Sequence, residues 1–243
     1  MILRRVVFAL SLCPFVFVSS VAAWQVRNDA SQPQFEAFAR RFAVASHSFP
    51  RHGAAPLGIT GFDVYADIAY DGTFGDDELA QGALRGGLTN DAMAVTRIGA
   101  RKGLPGGFDL GASVGEALDG DLRLLSADVQ WAILDGGPLS PALSIRVAGT
   151  ETQGGGAFSQ RALSAELLAS KGFAVLTPYV GLGVIASRAK LDRPGALPDF
   201  EEEHTQAVAF VGATLNLLLP KFTAEIERSE DTTQYAFRVA FGF

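Results

Sequence analysis

Cysteine is nearly absent from this 243-residue chain, which has a single one, Cys13, near the amino terminus. A lone cysteine cannot form an internal disulfide, and its removal by processing would leave no thiolate chemistry. Histidine is also scarce: the three residues are His47, His52 and His204. His47 and His52 are five positions apart across Pro50, which is not the spacing of a ligand pair on one helix face. We therefore expect no metal site, and we expect no cofactor.

A surplus of positive charge and long hydrophobic runs are lacking too. No stretch beyond residue 23 approaches eighteen uninterrupted apolar residues, so a helical membrane span is not expected there. The formal net charge is −6, and without Arg4 and Arg5 the balance is 18 basic against 26 acidic residues. A nucleic-acid partner would require a basic surface, so this composition excludes that class of function.

The chain also lacks a recognisable catalytic motif. Ser187 and His204, beside Glu201–Glu203, form the only arrangement that resembles a nucleophile with a base. No nucleophile motif surrounds Ser187, and a histidine among acids is usually a solvated loop residue. Gly181-Leu-Gly183 lies inside an apparent strand and is therefore not a nucleotide-binding loop. We predict that the protein is not an enzyme.

Glycine and phenylalanine, in contrast, are abundant, with 27 and 18 residues. Together with 48% hydrophobic and only 19% charged residues, they favour an all-β protein with close backbone approaches and an aromatic-rich surface.

The first 23 residues have the pattern of a cleaved signal peptide. Arg4 and Arg5 provide a basic start, Val6–Val21 is apolar, and Val21-Ala22-Ala23 suits a signal peptidase. A retained anchor is the alternative, although Pro14, Ser19 and Ser20 weaken the run as a spanning helix. We expect export and a mature chain that starts at Trp24.

The carboxyl-terminal residues alternate strictly between two kinds of side chain. Within residues 235–243, odd positions are aromatic or β-branched and even positions are alanine, arginine or glycine. A strand formed by these residues therefore has one wholly apolar face. This strand, ending in a terminal phenylalanine, resembles the assembly signal of small Gram-negative outer-membrane β-barrel proteins. The resemblance implies that the following side chains face lipid and that the barrel-assembly machinery recognises them: Tyr235, Phe237, Val239, Phe241 and Phe243.

Similar alternation recurs along residues 57–243, which we predict to form a closed antiparallel transmembrane barrel of about ten strands, with eight to twelve possible. The predicted strands are Leu57–Tyr70, Ala92–Arg101, Phe108–Ala117, Leu124–Leu134, Ala142–Thr150, Arg161–Ala169, Ala174–Ala186, Gln206–Leu218, Phe222–Glu227 and Gln234–Phe243. If the first strand starts in the periplasm, the periplasmic turns are compact and the outer connections 71–91 and 187–205 are long.

The two faces of these strands differ in polarity. Charged residues must point inward in such a barrel, because the lipid core contains no water to solvate them. The predicted lumen charges are Asp63, Asp67, Arg97, Arg101, Asp109, Asp128, Arg146, Glu166, Glu225, Glu227 and Arg238. Val208 and Phe210 break the pattern of their strand by falling on the inner face.

Residues 24–56 precede the barrel and contain an amphipathic helix near Gln34–His47, with Phe35, Phe38 and Phe42 on one face. Three locations remain open: resting at the periplasmic mouth or on a turn, entering the lumen as a plug, or lying on the membrane surface.

We therefore expect a porin-like barrel in the bacterial outer membrane, in contact with lipid and lipopolysaccharide, with no nucleic-acid partner; a monomer is favoured. The first functional hypothesis is a non-enzymatic structural, interaction or ligand-holding barrel with a salt-bridged, occluded lumen. The second is a narrow pore for small solutes, with cations as one candidate class. A barrel enzyme acting on envelope lipids is a distant alternative.

Overall fold

The computed structural model describes residues 24–86, 88, 92–154, 157–195, 197–217 and 219–242. Ten antiparallel strands close into a barrel in which each strand pairs with its neighbours in sequence and the last, β12, pairs with the first, β2. The elements are β1 (Gln25–Val26), α1 (Gln32–Ser46), β2 (Phe62–Asp71), α2 (Glu78–Gly82), β3 (Leu84–Arg85), β4 (Met93–Leu104), β5 (Phe108–Ala117), β6 (Leu122–Asp135), β7 (Ala142–Gly154), β8 (Phe158–Ser170), β9 (Leu176–Leu191), β10 (Phe200–Asn216), β11 (Pro220–Ser229) and β12 (Thr232–Gly242).

The predicted ten-strand barrel with a short amino-terminal helix is confirmed. Several strand boundaries differ from the prediction, three of them by five or six residues. The first barrel strand begins at Phe62 rather than Leu57, and β9 and β10 are longer than expected because they pair as far as Leu191 and Phe200. The predicted signal peptide and the terminal Phe243 lie outside the described residues.

The two ends of the barrel carry different parts of the chain. We call the end where β2 begins and β12 finishes the tail end. The opposite end, which holds β1, α1, α2 and β3, is called the lobe end. Each tail-end connection, such as 105–107 or 136–141, has six residues or fewer. The lobe end has the connections 72–92 and 192–199.

The predicted asymmetry of the connections is only partly correct. Residues 187–191 and 200–205 belong to strands, so the expected long connection 187–205 shortens to 192–199. The other lobe-end turns, 118–121, 155–157 and 230–231, are as short as those of the tail end. Connection 72–92 is therefore the main contribution to the difference between the ends.

A small hydrophobic lobe fills the mouth of the barrel at the lobe end. Helix α1 has Pro33 in its first turn, and Gln34 Oε1 accepts a hydrogen bond from the Ser31 amide at 3.0 Å, half of a capping box. Phe35, Phe38 and Phe42 are fully buried and pack against Phe158 on β8. The short β1–β3 sheet and α2 complete this lobe.

The chain then runs through the barrel from the lobe end to the tail end. Residues 47–61, here called the luminal segment, follow α1 and lead into β2. Of the three locations left open for the helix, the one at the mouth next to the start of the first strand is contradicted. Helix α1 lies in the opposite mouth, because its three phenylalanines find their apolar partners on β8 and in the connection after β2.

The outer and inner faces of the wall differ sharply in polarity. Outward side chains such as Val129, Leu167 and Phe237 remain 43 to 51% exposed, whereas their sequence neighbours point inward and are buried. A wall that is apolar outside and charged inside is the arrangement of a transmembrane barrel. No helix within the described ranges is both long and apolar enough to cross a membrane.

Candidate functional site

The structure places all of the predicted lumen charges in the barrel interior, where each residue is buried. They are contributed by alternate positions of β2, β4, β5, β6, β7, β8, β11 and β12, because side chains alternate between the two faces of a strand. The described lumen does not stay open around them, since the luminal segment (residues 47–61) occupies it and contacts most of these residues.

Within the described ranges, sequence reasoning missed three buried charges. Asp71 is the last residue of β2, one position beyond the predicted strand end. Arg41 lies on α1 and Arg51 in the luminal segment, and both are buried despite being outside the predicted barrel. Neither arginine has a sequence signal of its own, because a charge on a predicted helix or loop is normally solvated.

Arg51 is the centre of the interior network. Its guanidinium Nη1 donates to Asp67 Oδ1 at 2.6 Å, and Nη2 donates to Glu227 Oε1 at 3.2 Å. Glu225 lies slightly farther away, with its Oε1 3.8 Å from Arg51 Nε. One arginine of the luminal segment thus binds the two strands β2 and β11, which flank β12 at the closure of the barrel.

Arg238 on β12 makes a second connection at the same level. It donates through Nε and Nη2 to Asp67 Oδ2, at 3.1 and 2.7 Å, and through Nη1 to the Pro50 carbonyl at 2.7 Å. Its guanidinium also stacks over the Tyr65 ring, 3.8 Å from the centroid. The wall therefore holds the backbone of the luminal segment as well as its side chains.

The end of α1 is bound by polar side chains of the wall. Arg97 Nη2 donates to the carbonyls of Ala45 and His47, at 3.1 and 2.9 Å. A cation at this position satisfies carbonyls that have no intrahelical partner and complements the helix dipole. Gln160 and Gln206 bind the carbonyls of Ala39 and Arg40 from β8 and β10.

A line of polar contacts crosses the lumen from His47. His47 Nε2 lies 2.6 Å from Glu166 Oε1, and Arg146 donates to the other Glu166 oxygen at 2.9 Å. Arg146 also forms an ion pair with Asp128, with Nη2 3.2 Å from Oδ1. Because all four side chains are buried, these contacts hold the segment without offering a surface to solvent.

The tail-end half of the luminal segment is bound mostly through its backbone. The Ala54 amide donates to Ser170 Oγ at 2.8 Å, and the Leu57 amide donates to Asp109 Oδ1 at 3.0 Å. Asp109 is in turn bound by Arg101 at 2.9 Å. Lys102 donates to the Gly61 carbonyl at 3.1 Å, where the segment reaches β2.

The apolar residues on the inner face of β10 are explained by the luminal segment. Phe210 packs edge-on against Phe49, with ring centroids 5.8 Å apart. The Phe210 ring lies directly over Gly181 on β9, where a Cβ atom would be only 2.1 Å from Cζ. Val208 belongs to the same apolar cluster.

The charges of wall and segment are complementary. The described strands bury eight carboxylates, of Asp63, Asp67, Asp71, Asp109, Asp128, Glu166, Glu225 and Glu227, against four arginines, Arg97, Arg101, Arg146 and Arg238. The amino-terminal region adds two buried arginines, Arg41 and Arg51. A wall without this region would therefore enclose an excess of negative charge, which low-dielectric surroundings make costly.

The serine and histidine considered as a catalytic pair do not form one within the described contacts. Ser187 and His204 face each other on β9 and β10, but the Ser187 hydroxyl approaches the His204 backbone carbonyl at 3.5 Å. The His204 imidazole lies 3.5 Å from Glu230. Across the described ranges, no three His, Cys, Asp or Glu side chains form a group suited to a metal ion.

No family model and no curated protein sequence matches this chain. Solved structures with which it shares a low similarity include a de novo designed transmembrane β-barrel, at 13% identity and a TM-score of 0.36, covering 77% of this chain and 99% of that chain. The crystal structure of Neisserial surface protein A is similar at 13% identity and a TM-score of 0.34, covering 75% of this chain and 97% of that chain. LpxR from Salmonella typhimurium is similar at 10% identity and a TM-score of 0.38, covering 74% of this chain and 100% of that chain.

Proposed function

We propose that this protein is a non-enzymatic β-barrel of the bacterial outer membrane whose lumen is closed by its own amino-terminal region. The observation that carries the proposal is the fully buried Arg51, which joins the luminal segment to Asp67 and Glu227 of the wall. A solute pathway would have to displace this network. The role of the protein is therefore structural or in binding other molecules. The exposed lobe end and its loops are the region available to partners.

The outer surface supports the membrane location. The apolar outward side chains form a band around the described strands, and the closing strand β12 adds Tyr235, Phe237 and Phe241, each about half exposed. These residues, with Val239 and the terminal Phe243, are proposed to be the signal read by the barrel-assembly machinery. Lipid and lipopolysaccharide would then surround the band.

A conducting state is the second candidate, favoured by the composition of the wall. With the amino-terminal region displaced, the surplus of buried carboxylates would line the lumen and attract cations. The pore hypothesis thus becomes a property of the unplugged barrel.

The test is single-channel conductance of refolded protein in planar bilayers. We expect the complete mature chain to be silent and a form lacking residues 24–56 to carry a steady cation-selective current. An Arg51→Met variant is expected to show intermittent current, whereas Arg27→Met, which removes a solvent-exposed ion pair with Asp29, remains silent. Steady current through the complete mature chain would contradict the closed-barrel function.

A further inference from the structure

We propose that the mature amino terminus lies on the outside of the cell, so that residues 24–61 pass inward through the barrel before the first strand begins. This inference rests on the proposed outer-membrane location. It assigns the lobe at the mouth of the barrel to the cell surface. A segment fused ahead of Trp24 would then be displayed outside the cell.

The starting point of this path is fixed at the lobe end. The Trp24 amide donates to the Asp119 carbonyl at 3.0 Å, and its indole Nε1 donates to the Leu118 carbonyl at 3.0 Å. Both carbonyls belong to the turn between β5 and β6. Four residues later, the Asn28 carbonyl accepts a hydrogen bond from Arg193 in connection 192–199, at 3.3 Å.

Successive contacts then move steadily toward the tail end. Ala39 and Ser46 are bound by Gln160, near the lobe end of β8. His47 meets Glu166 in the middle of the same strand, and Ala54 meets Ser170 at its last residue. The contacts with β8 alone therefore show that the chain runs along the whole length of the barrel wall.

The end of the path lies beside the start of the barrel strand. The Ile59 and Gly61 carbonyls are bound by Lys102, close to the tail end of β4, and β2 begins at Phe62. Because this strand runs back to the lobe end, helix α1 and the connection 72–92 meet there, as the Arg41–Asp77 ion pair at 2.8 Å shows.

The orientation in the membrane follows from the two ends. Outer-membrane barrels have short periplasmic turns and longer extracellular loops. The tail end has only compact turns, whereas the lobe end has the connection 72–92. Outward charges also concentrate toward the lobe end, where Arg188 pairs with Glu201 and Glu203 on the exposed extensions of β9 and β10. The lobe end is therefore the extracellular end.

Labelling of single cysteines tests the topology, because the chain has no cysteine after Cys13. Two variants of the full chain are compared: Asp29→Cys in the lobe and Leu139→Cys in the tail-end turn between β6 and β7. Leu139 is 99% exposed, and Asp29 is also exposed, so burial does not limit either reaction. The probe is a membrane-impermeant maleimide, applied to intact cells and to cells with a permeabilised outer membrane.

We expect Asp29→Cys to be labelled in intact cells at least tenfold more than Leu139→Cys, and Leu139→Cys to reach the same level only after permeabilisation. The reverse pattern, or protection of both sites in intact cells while the protein is in the membrane fraction, would overturn the proposed topology but leave the membrane location standing. Recovery of the unmodified chain as a soluble periplasmic protein would instead contradict the proposed function itself.

Discussion

Arg51 and Asp67 are joined by a 2.6 Å contact, although neither side chain reaches solvent. Arg51 adopts a φ of +50°, a left-handed backbone conformation that is unfavourable for a residue with a side chain. Such strain persists only where the surrounding contacts impose it. The interaction of the luminal segment with the wall is therefore strong enough to determine the backbone at this position.

Replacement of Arg51 by methionine should destabilise the barrel. The change leaves Asp67 and Glu227 buried with fewer partners, and breaking a buried ion pair from one side typically costs about 3–5 kcal/mol. We expect the free energy of unfolding in lipid vesicles, measured by urea titration, to fall by that order. Arg27→Met provides the control, since its exposed ion pair with Asp29 contributes little. Equal stability of the two variants would show that the Arg51 network does not hold the segment.

Gly181 should tolerate no side chain, because Phe210 covers it. An added Cβ would lie 2.1 Å from the ring and 2.9 Å from the Leu167 carbonyl. Gly181→Ala must therefore push Phe210 toward Phe49, and overpacking of this kind costs about 1–3 kcal/mol.

Gly149→Ala is the matched control for that change. It is also a strand glycine, but a Cβ there would have its nearest neighbour 3.9 Å away. We expect its urea midpoint to match that of the unmodified protein, while limited proteolysis cleaves the luminal segment faster in Gly181→Ala. A loss of stability in both variants would indicate a general cost of side chains on these strands.

Asp77 should make the packing of α1 against α2 within the lobe sensitive to acid. Partial burial acts to raise the pKa of Asp77, but the Ala80 amide and the Arg41 guanidinium outweigh it, and the pKa lies below the ordinary 3.8. The stabilisation is therefore complete above that value and is lost as the pH falls through the lowered pKa of the folded protein.

Asp77→Asn tests this dependence, because asparagine can still cap α2 but carries no charge. We expect the variant to be less stable than the unmodified protein at pH 7 and the difference in urea midpoint to shrink below about pH 4. Asp76→Asn, an exposed neighbour, should show no such difference. A gap between unmodified protein and Asp77→Asn that is unchanged at pH 2 would exclude the ionised carboxylate as its source.

A positive charge on the outer face should be costly only in the middle of the apolar band. Leu182 lies in the apolar part of β9 and is 60% exposed, whereas Gln153 lies near the lobe end of β7. Arginine costs about 2–4 kcal/mol at the bilayer midplane and about 0–1 near the interface. Leu182→Arg should therefore lower the free energy of unfolding in vesicles much more than Gln153→Arg. Similar values for both would argue against a lipid environment for β9.

The barrel could be predicted from the sequence because alternation along a strand is a local property. Phe237 and Arg238, for example, are adjacent in sequence and face opposite sides of β12. The extensions of β9 and β10 were missed for a related reason. Their outward residues, including Arg188, Lys190 and Glu203, are charged and lie beyond the apolar band, so the pattern that marks a lipid-facing strand is absent.

The place of the amino-terminal region could not be predicted in this way. Periodicity identified an amphipathic helix, and the helix runs from Gln32 to Ser46. Periodicity does not identify the surface that covers the apolar face, which depends on Phe158 and other residues far away in sequence. Arg51 carried no signal, because its partners Asp67 and Glu227 become neighbours only when the barrel closes.

The pairing of β12 with β2 has a consequence for the order of events during assembly. Arg238 lies on the last strand to be synthesised and binds both Asp67 across that seam and Pro50 of the luminal segment. Closure of the barrel and binding of the luminal segment therefore involve the same side chain. Neither step can be completed before β12 pairs with β2, so Arg238 cannot hold the luminal segment until the last barrel strand has joined the sheet.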